Sequence, residues 1–259
     1  MQIAGLGGRS FSVRVGGVQS NNPPSKGLPM SKNLPVWDLI SAVIKNSRTT
    51  LLHGPSGTGK SFSAHSADLG GRSLYSVTLT PDTPAAELRG HYIPVGSDFK
   101  WQDGPAISAW RYGGRLVVNE IDHAGGDALS FLLVCLDSDS TACLTLPTGE
   151  MVRPHPQFQC VATMNGNPDG DLPPALRDRF PVCVEVNEAH PQGISSLPDD
   201  LQAAAKGSVV ASDPARRLTL RAWKSFAALR NQIGPEMAAR AVFQSRASDV
   251  LDALRIAAS

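Results

Sequence analysis

The stretch GPSGTGKS, Gly54 to Ser61, decides the fold. It fills the pattern GxxxxGK[ST] and stands between a short apolar run, TTLLH (Thr49–His53), and a segment of helical character. Glycines in this context let backbone N–H groups turn toward phosphate oxygens, and a helix that begins near Gly59 adds its positive end. Lys60 can reach the outer phosphates, and the Ser61 hydroxyl can bind Mg²⁺. The stretch therefore predicts a phosphate-binding loop made of Gly54, Pro55, Ser56, Gly57, Thr58, Gly59, Lys60 and Ser61.

A second motif, LVVNEID (Leu116–Asp122), places polar side chains at the end of a buried strand. Glu120 is positioned to orient and activate an attacking water as a general base. Asn119 stands where a strand of this kind usually ends in an aspartate that holds magnesium through water. An amide oxygen can still accept a bond from magnesium-bound water, but it carries no charge. The alternative is that Asn119 satisfies backbone groups at the strand end while Asp122 caps the next helix.

A third polar group follows the strand of VATMN. The run Val161–Met164 should lie beside the strand that leads into the phosphate-binding loop, so that Asn165 could help to position a water near the outer phosphate. The alternative is an asparagine in an ordinary turn before Gly166 and Pro168.

Arginines offer a way to stabilise charge on a transferring phosphoryl group, often from a neighbouring subunit. LPPALRDRF contains Arg177 and Arg179, which point in different directions on a helix. Surface pairs with Asp171 or Asp178 are the alternative. Arg221, near the start of a later helix, is a similar candidate.

Alternating strand and helix patterns predict a mainly parallel sheet wrapped by helices, followed by a small helical domain. The expected boundaries are a flank over residues 1–35, with a strand-like SFSVRV, an α/β domain over 36–190 and a helical lid over 191–259. A loop or hairpin is expected within His91–Gly104 and a hairpin around Pro147-Thr148-Gly149, and Thr83 is a candidate helix N-cap.

Composition narrows the class of protein. The 259 residues carry a formal net charge of +1 and no basic stripe, which counts against a nucleic-acid motor. No apolar run has the ~18–20 residues that a bilayer requires. The four cysteines form no CxxC pair and indicate reduced thiols in a cytoplasmic protein, and a structural metal is not expected. The flank is basic and poor in acids, which also fits a transit peptide, but it has no apolar core for secretion.

Together these motifs resemble the AAA+ ATPases. GPSGTGKS is similar to Walker A, LVVNEID to Walker B, VATMN to sensor 1, ALRDRF to the arginine-finger segment and LTLRAW to sensor 2, in matching order across about Val36 to Ala228. WQDGPAISAWRYGGRLVVNEIDHA and HPQFQCVATMN resemble the MoxR-type branch, which includes the CbbQ, NorQ and gas-vesicle GvpN groups. Residues 1–35 are outside the resemblance.

The resemblance implies a five-stranded parallel sheet, a helical lid, and ATP with Mg²⁺ bound between them. It implies a ring, usually a hexamer, in which Arg179, which precedes Phe180 as in the family's RF, reaches the ATP of the next subunit. It also implies partner-engaging hairpins within His91–Trp101 and Cys143–Arg153. MoxR-type rings commonly act as chaperone-like remodellers with a von Willebrand A-domain partner.

Two other functions stay open. Because Asn119 is neutral, the ring could use ATP mainly as an assembly switch with little hydrolysis. A nucleic-acid-associated NTPase motor is the further alternative, whereas a GTPase is disfavoured because no NKxD motif is present. Val36 and Trp37 are candidate adenine contacts because of their place before the first strand.

Overall fold

A five-stranded sheet forms the centre of the protein, in the order β2-β5-β8-β1-β9. The structure, a computed structural model, describes residues 35–137, 142–211 and 213–258, so the expected N-terminal strand lies outside the described residues. The sheet is built from β1 (Thr49–His53), β2 (Leu74–Thr78), β5 (Arg115–Asn119), β8 (Gln159–Thr163) and β9 (Val182–Glu185). Every neighbouring pair is parallel, which confirms the predicted fold class.

The central strands are buried along their whole length because helices cover both faces of the sheet. All five residues of β5 and all five of β8 are buried, as expected for strands of a covered parallel sheet. The covering helices are α1 (Val36–Asn46), α2 (Lys60–Ser66), α3 (Ala85–Arg89), α4 (Pro105–Tyr112), α5 (Gly126–Cys135), α6 (Pro168–Asp171) and α7 (Pro174–Asp178).

The C-terminal part is helical and has a hydrophobic core of its own. Its helices are α8 (Pro191–Ser195), α9 (Asp199–Val209), α10 (Leu220–Ile233), α11 (Pro235–Phe243) and α12 (Ala247–Ala258). The rings of Trp223, Phe226 and Phe243 pack together, with centroids 5.1–6.2 Å apart. Among the described residues, no helix combines the length and the apolar character needed to cross a membrane.

Two antiparallel hairpins lie outside the sheet, and both were predicted. The first joins β3 (Gly90–Val95) to β4 (Asp98–Asp103) through a two-residue turn in which Gly96 has a φ of +64°. The second joins β6 (Leu144–Thr145) to β7 (Met151–Val152) across the expected Pro147-Thr148-Gly149 turn.

The predicted caps are corrected at two places. Thr83 does not cap α3, since its Oγ1 accepts a hydrogen bond from Thr80 N at 2.9 Å. The first turn of α3 is instead satisfied from another helix, because Ala85 N donates to Asp127 Oδ2 at 2.7 Å. Asp122 does not cap α5 either, because it lies inside a short 3₁₀ turn, Ile121–His123.

Candidate functional site

The glycine-rich loop joins β1 to α2 and packs closely against three other segments. Gly54, Gly57 and Gly59 have φ values of +131°, +76° and +112°. A Cβ at these positions would lie 2.5 Å from Val186 O, 2.5 Å from Thr219 Cβ and 2.6 Å from His190 Cβ, respectively. Glycine is therefore required both for the turns and for the contact with the C-terminal helices.

Lys60 is a buried cation surrounded by oxygen acceptors. Its side chain is 6% exposed, and Nζ donates to Gly54 O and Pro55 O at 2.8 Å and to Asn165 Oδ1 at 3.1 Å. Burial lowers the pKa of Lys60 to about 8, although the charge of Glu120 opposes this shift. A partly desolvated ammonium group beside turned backbone N–H groups is suited to an anionic ligand.

Asn165 connects Lys60 to Glu120. Its Nδ2 donates to Glu120 Oε2 at 2.6 Å while its Oδ1 accepts from Lys60. The contact arises because β5 and β8 are adjacent and parallel, so that the residues after their carboxyl ends are neighbours. Glu120 has a φ of +55°, an uncommon conformation for a residue other than glycine and one that is often found at functional sites.

Asn119 is buried between two polar strand residues. Its Oδ1 accepts from Thr163 Oγ1 at 3.4 Å, and Thr163 lies 3.5 Å from the Ser61 hydroxyl oxygen. Its Nδ2 donates to Ser76 Oγ at 3.4 Å and to Val77 O at 3.5 Å. Thr163 thus connects the Asn119 amide oxygen to the Ser61 hydroxyl. Sequence reasoning missed Thr163, whose only signal is that it is the last residue of the strand in VATMN.

A cleft of about 800 Å³ gathers these residues. Its lining from the α/β part includes Ser56, Gly57, Gly59, Lys60, Ser61, Phe62, Glu120, Thr163 and Asn165. Its other wall comes from the helical part and includes His190, Gln192, Thr219, Leu220, Arg221 and Lys224. A slightly larger depression of about 890 Å³ lies at the opposite end of the sheet around Arg72 and Gln159, away from every predicted motif.

An aromatic group that the sequence did not reveal closes one side of the cleft. The His190 ring lies edge-on to Trp37 and Phe62, with centroids 4.5 and 5.0 Å away. Its Nδ1 accepts from Gln192 N at 3.2 Å, and burial lowers the pKa of the ring, which is therefore neutral at pH 7. Trp37 itself is 6% exposed and lies behind His190, and neither Trp37 nor Val36 is among the residues that line the cleft.

Arg221 lies on the helical wall of the cleft. It is exposed and follows Thr219, whose hydroxyl caps α10 by accepting from Ala222 N at 3.2 Å. The start of α10, next to Gly57, therefore brings its positive end to the glycine-rich loop, and Arg221 lines the same cleft.

The other two candidate arginines lie outside the cleft. Arg177 Nε donates to Asp169 Oδ1 at 3.2 Å, a surface pair with a different aspartate from the Asp171 and Asp178 considered as alternatives. Arg179 lies 3.7 Å from Asp137 and 3.8 Å from Asp178. Neither Arg177 nor Arg179 is among the residues that line the cleft.

The residues present fit a magnesium-bound triphosphate. Ser61, Asn119 and Thr163 offer oxygen atoms, the ligands that Mg²⁺ prefers. Asp122 Oδ1 is buried and has no hydrogen-bond partner within the described part of the chain, and Glu120, Asp122 and His123 each have a potential ligand atom within 4.8 Å of the others. Lys60 and the loop N–H groups would hold the phosphates.

The phosphate-binding loop on a parallel sheet, with polar residues at the ends of β5 and β8, defines an α/β nucleotide-binding protein of the P-loop class. The model of the AAA domain (dynein-related subfamily) matches residues 49–180, half of the chain. The chain belongs to this family.

Curated relatives are similar over the same region. NorQ of Paracoccus denitrificans is 34% identical over 168 residues, covering 63% of this chain and 60% of NorQ. CbbQ of Hydrogenophilus thermoluteolus is 32% identical over 146 residues, covering 54% of each chain. NirQ of Stutzerimonas stutzeri, a denitrification regulatory protein, is 32% identical over 146 residues, covering 55% of this chain and 53% of NirQ. These similarities confirm the predicted MoxR-type AAA+ resemblance. The match spans between about half and 60% of these relatives' length.

Proposed function

We propose that this chain binds ATP with Mg²⁺ in the cleft, hydrolyses it, and uses the cycle in a ring of identical copies to remodel a protein partner. The observation that supports hydrolysis most strongly is the bridge made by Asn165. Its side chain is hydrogen-bonded to Lys60 at 3.1 Å and to Glu120 at 2.6 Å, so that the proposed phosphate-binding cation and the proposed general base are held on either side of one amide.

Each residue has a role in this proposal. Lys60 and the loop N–H groups bind the phosphates, and bound Mg²⁺ supplies further neutralisation of their charge. The Ser61 hydroxyl would hold the ion directly, and Asn119 would hold it through water. Glu120 accepts the proton of the attacking water, and Asn165 orients that water. Arg221 contributes positive charge from the helical wall.

The base of the nucleotide is proposed to lie against His190 and Phe62. These two rings line the cleft, whereas Trp37 packs behind His190 and donates from Nε1 to Ala189 O at 3.1 Å. Trp37 thus supports the base-binding wall from behind, which replaces the expectation that Val36 and Trp37 contact adenine.

Arg179 favours a ring, hexameric as in the resemblance, because it cannot serve the cleft of its own copy. The hairpins suit a protein client, such as one with a von Willebrand A domain, since Tyr92, Val95, Phe99 and Met151 expose 46%, 52%, 73% and 59% of their surface.

The test of hydrolysis is steady-state phosphate release with Mg²⁺-ATP. Glu120→Gln should lower release about 10²- to 10⁴-fold, the contribution of a general base, while leaving nucleotide affinity within a factor of about three. Release by the unmodified chain that does not exceed the Glu120→Gln background at any protein concentration would rule hydrolysis out.

The arginines provide a matched pair for testing the ring. Arg179→Ala should lower phosphate release about 10³-fold, whereas Arg177→Ala should leave it nearly unchanged. Mixing Arg179→Ala with Glu120→Gln should restore part of the release, because each variant supplies what the other lacks. No restoration in the mixture, despite assembly, would contradict action across copies.

The second candidate function is an ATP-dependent assembly switch with little turnover. Asn119 favours this function, because its side chain carries no charge and would hold the ion more weakly than a carboxylate. The residue is buried, with 9% of its surface exposed. ATP-dependent assembly on a sizing column without phosphate release would establish this function instead.

A further inference from the structure

A closed ring of hydrogen bonds passes through Asn119. It begins at the Ser61 carbonyl, 2.6 Å from His65 Nδ1, and continues from His65 Nε2 to Ser76 Oγ at 3.0 Å. Ser76 Oγ contacts Asn119 Nδ2 at 3.4 Å, and Asn119 Oδ1 contacts Thr163 Oγ1 at 3.4 Å. Thr163 then returns to the hydroxyl of Ser61 at 3.5 Å.

The position of each member follows from the local structure. His65 is four residues after Ser61 on α2, one helical turn away on the same face. Ser76 lies on β2, the edge strand that pairs with β5, two residues before the partner of Asn119 in the strand register. The ring thus connects α2 to three strands of the sheet.

The chemistry of the groups sets the direction of every bond. The Ser61 carbonyl can only accept, so His65 Nδ1 must carry a proton, and in a neutral imidazole Nε2 is then an acceptor. The Ser76 hydroxyl therefore donates to His65 and accepts from the Asn119 amide nitrogen. Val77 O, 3.5 Å from the same nitrogen, also can only accept. These two acceptors turn the Asn119 oxygen toward Thr163, whose hydroxyl lies 3.5 Å from that of Ser61.

We propose that Ser76 and His65 are positioning residues, which hold the Asn119 amide with its oxygen toward the metal-binding side of Ser61. The proposal rests on the proposed Mg²⁺-ATP site. It explains how a chain with an amide in the Walker B position keeps an acceptor oxygen where it is needed. A carboxylate has no hydrogen to give to Ser76, so this ring is matched to asparagine.

The first arm of the test uses the protein without nucleotide or magnesium. The side-chain amide of Asn119 is followed by ¹⁵N–¹H NMR in the unmodified chain, in Ser76→Ala and in Thr78→Ala. Thr78 is also an exposed polar residue of β2 and is the matched control. Ser76→Ala should shift the Asn119 amide signals and raise the rate at which these hydrogens exchange with water about tenfold, because one hydrogen bond of the amide is lost. Unchanged signals would overturn the proposal.

The second arm measures the affinity of a non-hydrolysable ATP analogue by calorimetry, with Mg²⁺ and with EDTA. Ser76→Ala and His65→Ala should weaken binding about tenfold with Mg²⁺, as loss of an outer partner of a metal ligand does, and leave binding in EDTA unchanged. Equal weakening in both media would show a general structural role and contradict the proposal. Absence of binding by the unmodified chain would refute the proposed function, while the NMR arm would still decide the position of Asn119.

A coupling measurement completes the test. In the Asn119→Asp background, Ser76→Ala should cost less than a factor of about two in Mg²⁺-dependent affinity, because a carboxylate does not need an acceptor at Ser76. The same tenfold loss in both backgrounds would show that Ser76 acts independently of Asn119.

Discussion

The two ends of the central sheet each bury a cation, but the partners of these cations differ. At the carboxyl end, Lys60 donates to two loop carbonyls and to the side chain of Asn165. At the amino end, Arg115 is fully buried and donates to Ala64 O at 3.3 Å, Ala67 O at 2.7 Å and Asp68 O at 3.0 Å.

The difference separates a binding cation from a structural one. One acceptor of Arg115 is the Ala64 carbonyl in the last turn of α2, where carbonyls lack donors within the helix, and the other two belong to Ala67 and Asp68 just after the helix. The negative end of the helix favours a cation there. At that end of the sheet, the acceptors of Arg115 are backbone carbonyls, which a ligand would not displace. Lys60 instead lies in an open cleft with a pKa lowered by burial to about 8, so an arriving phosphate would relieve the loss of hydration.

Removal of Lys60 should have the largest expected effect, because it should weaken ATP binding strongly. It should also stabilise the folded protein. Lys60→Met should weaken ATP binding about 100- to 1,000-fold, the loss expected when a preorganised charge is removed. Without nucleotide and magnesium, it should raise the free energy of unfolding at pH 7 by about 1 kcal/mol. The variant no longer buries a charge, and the cost that this removes exceeds the contribution of the lost hydrogen bonds.

The pH dependence of that gain has a defined sign. Below a pH of about 8 the lysine is charged in both the folded and the unfolded chain, so the folded protein bears the full cost of burial. As the pH rises above that value, the folded protein loses the proton first and the cost declines. Urea titrations at pH 7 and pH 10 should therefore show the gain of Lys60→Met shrinking. A gain that grows with pH would contradict the assignment.

Removal of Arg115 should instead destabilise the protein. Arg115→Met leaves three carbonyls at the end of α2 without this donor and should lower the free energy of unfolding by about 2–4 kcal/mol. Arg115→Lys is the control and should recover part of the loss, because one ammonium group can reach some of the same oxygens. If Arg115→Met changed stability by no more than Thr78→Ala, the contrast between the two ends would fail.

The sequence predicted the carboxyl end of the sheet better than the amino end, for a physical reason. Gly54–Ser61 and the polar residues after β5 and β8 are read from local patterns, and parallel strands bring their carboxyl ends together whatever the details of packing. The order of the motifs was therefore enough to place Lys60, Glu120 and Asn165 in one region.

Contacts that depend on register and on packing between distant segments could not be read in this way. His190 reaches the cleft because its Cβ packs against Gly59, and Arg115 reaches the end of α2 because β5 passes beneath that helix. Thr83 failed as a cap because Asp127, from another helix, satisfies the first turn of α3. No pattern in the neighbouring residues predicts any of these contacts.

A third cation extends the comparison to the surface, where the expected effect is smallest. Arg111, at the end of α4, donates to Asp103 at 2.5 Å and to both oxygens of Glu150 at 2.5 and 2.6 Å. It thereby ties the β3–β4 hairpin to the β6–β7 hairpin. The Arg111 hydrogen bond holds the pKa of Glu150 below its usual value.

Arg111→Gln should uncouple the hairpins without unfolding either. Amide exchange in the second hairpin, where Leu146 N donates to Glu150 O at 2.8 Å, should rise about threefold to tenfold, while the melting temperature changes little because the pair is partly exposed. Arg153→Gln, at the end of the same hairpin, is the matched control.

Acid should reproduce the effect of Arg111→Gln in the unmodified chain. Because the pKa of Glu150 is lowered in the folded protein, its contribution to stability is complete above the ordinary carboxyl pKa. That contribution is lost as the pH falls through the lowered pKa. After correction for intrinsic exchange rates, the difference between the unmodified chain and Arg111→Gln should therefore persist at pH 6 and disappear in strong acid. A difference that survives the protonation of Glu150 would contradict a tie between the hairpins that depends on the Arg111–Glu150 ion pair.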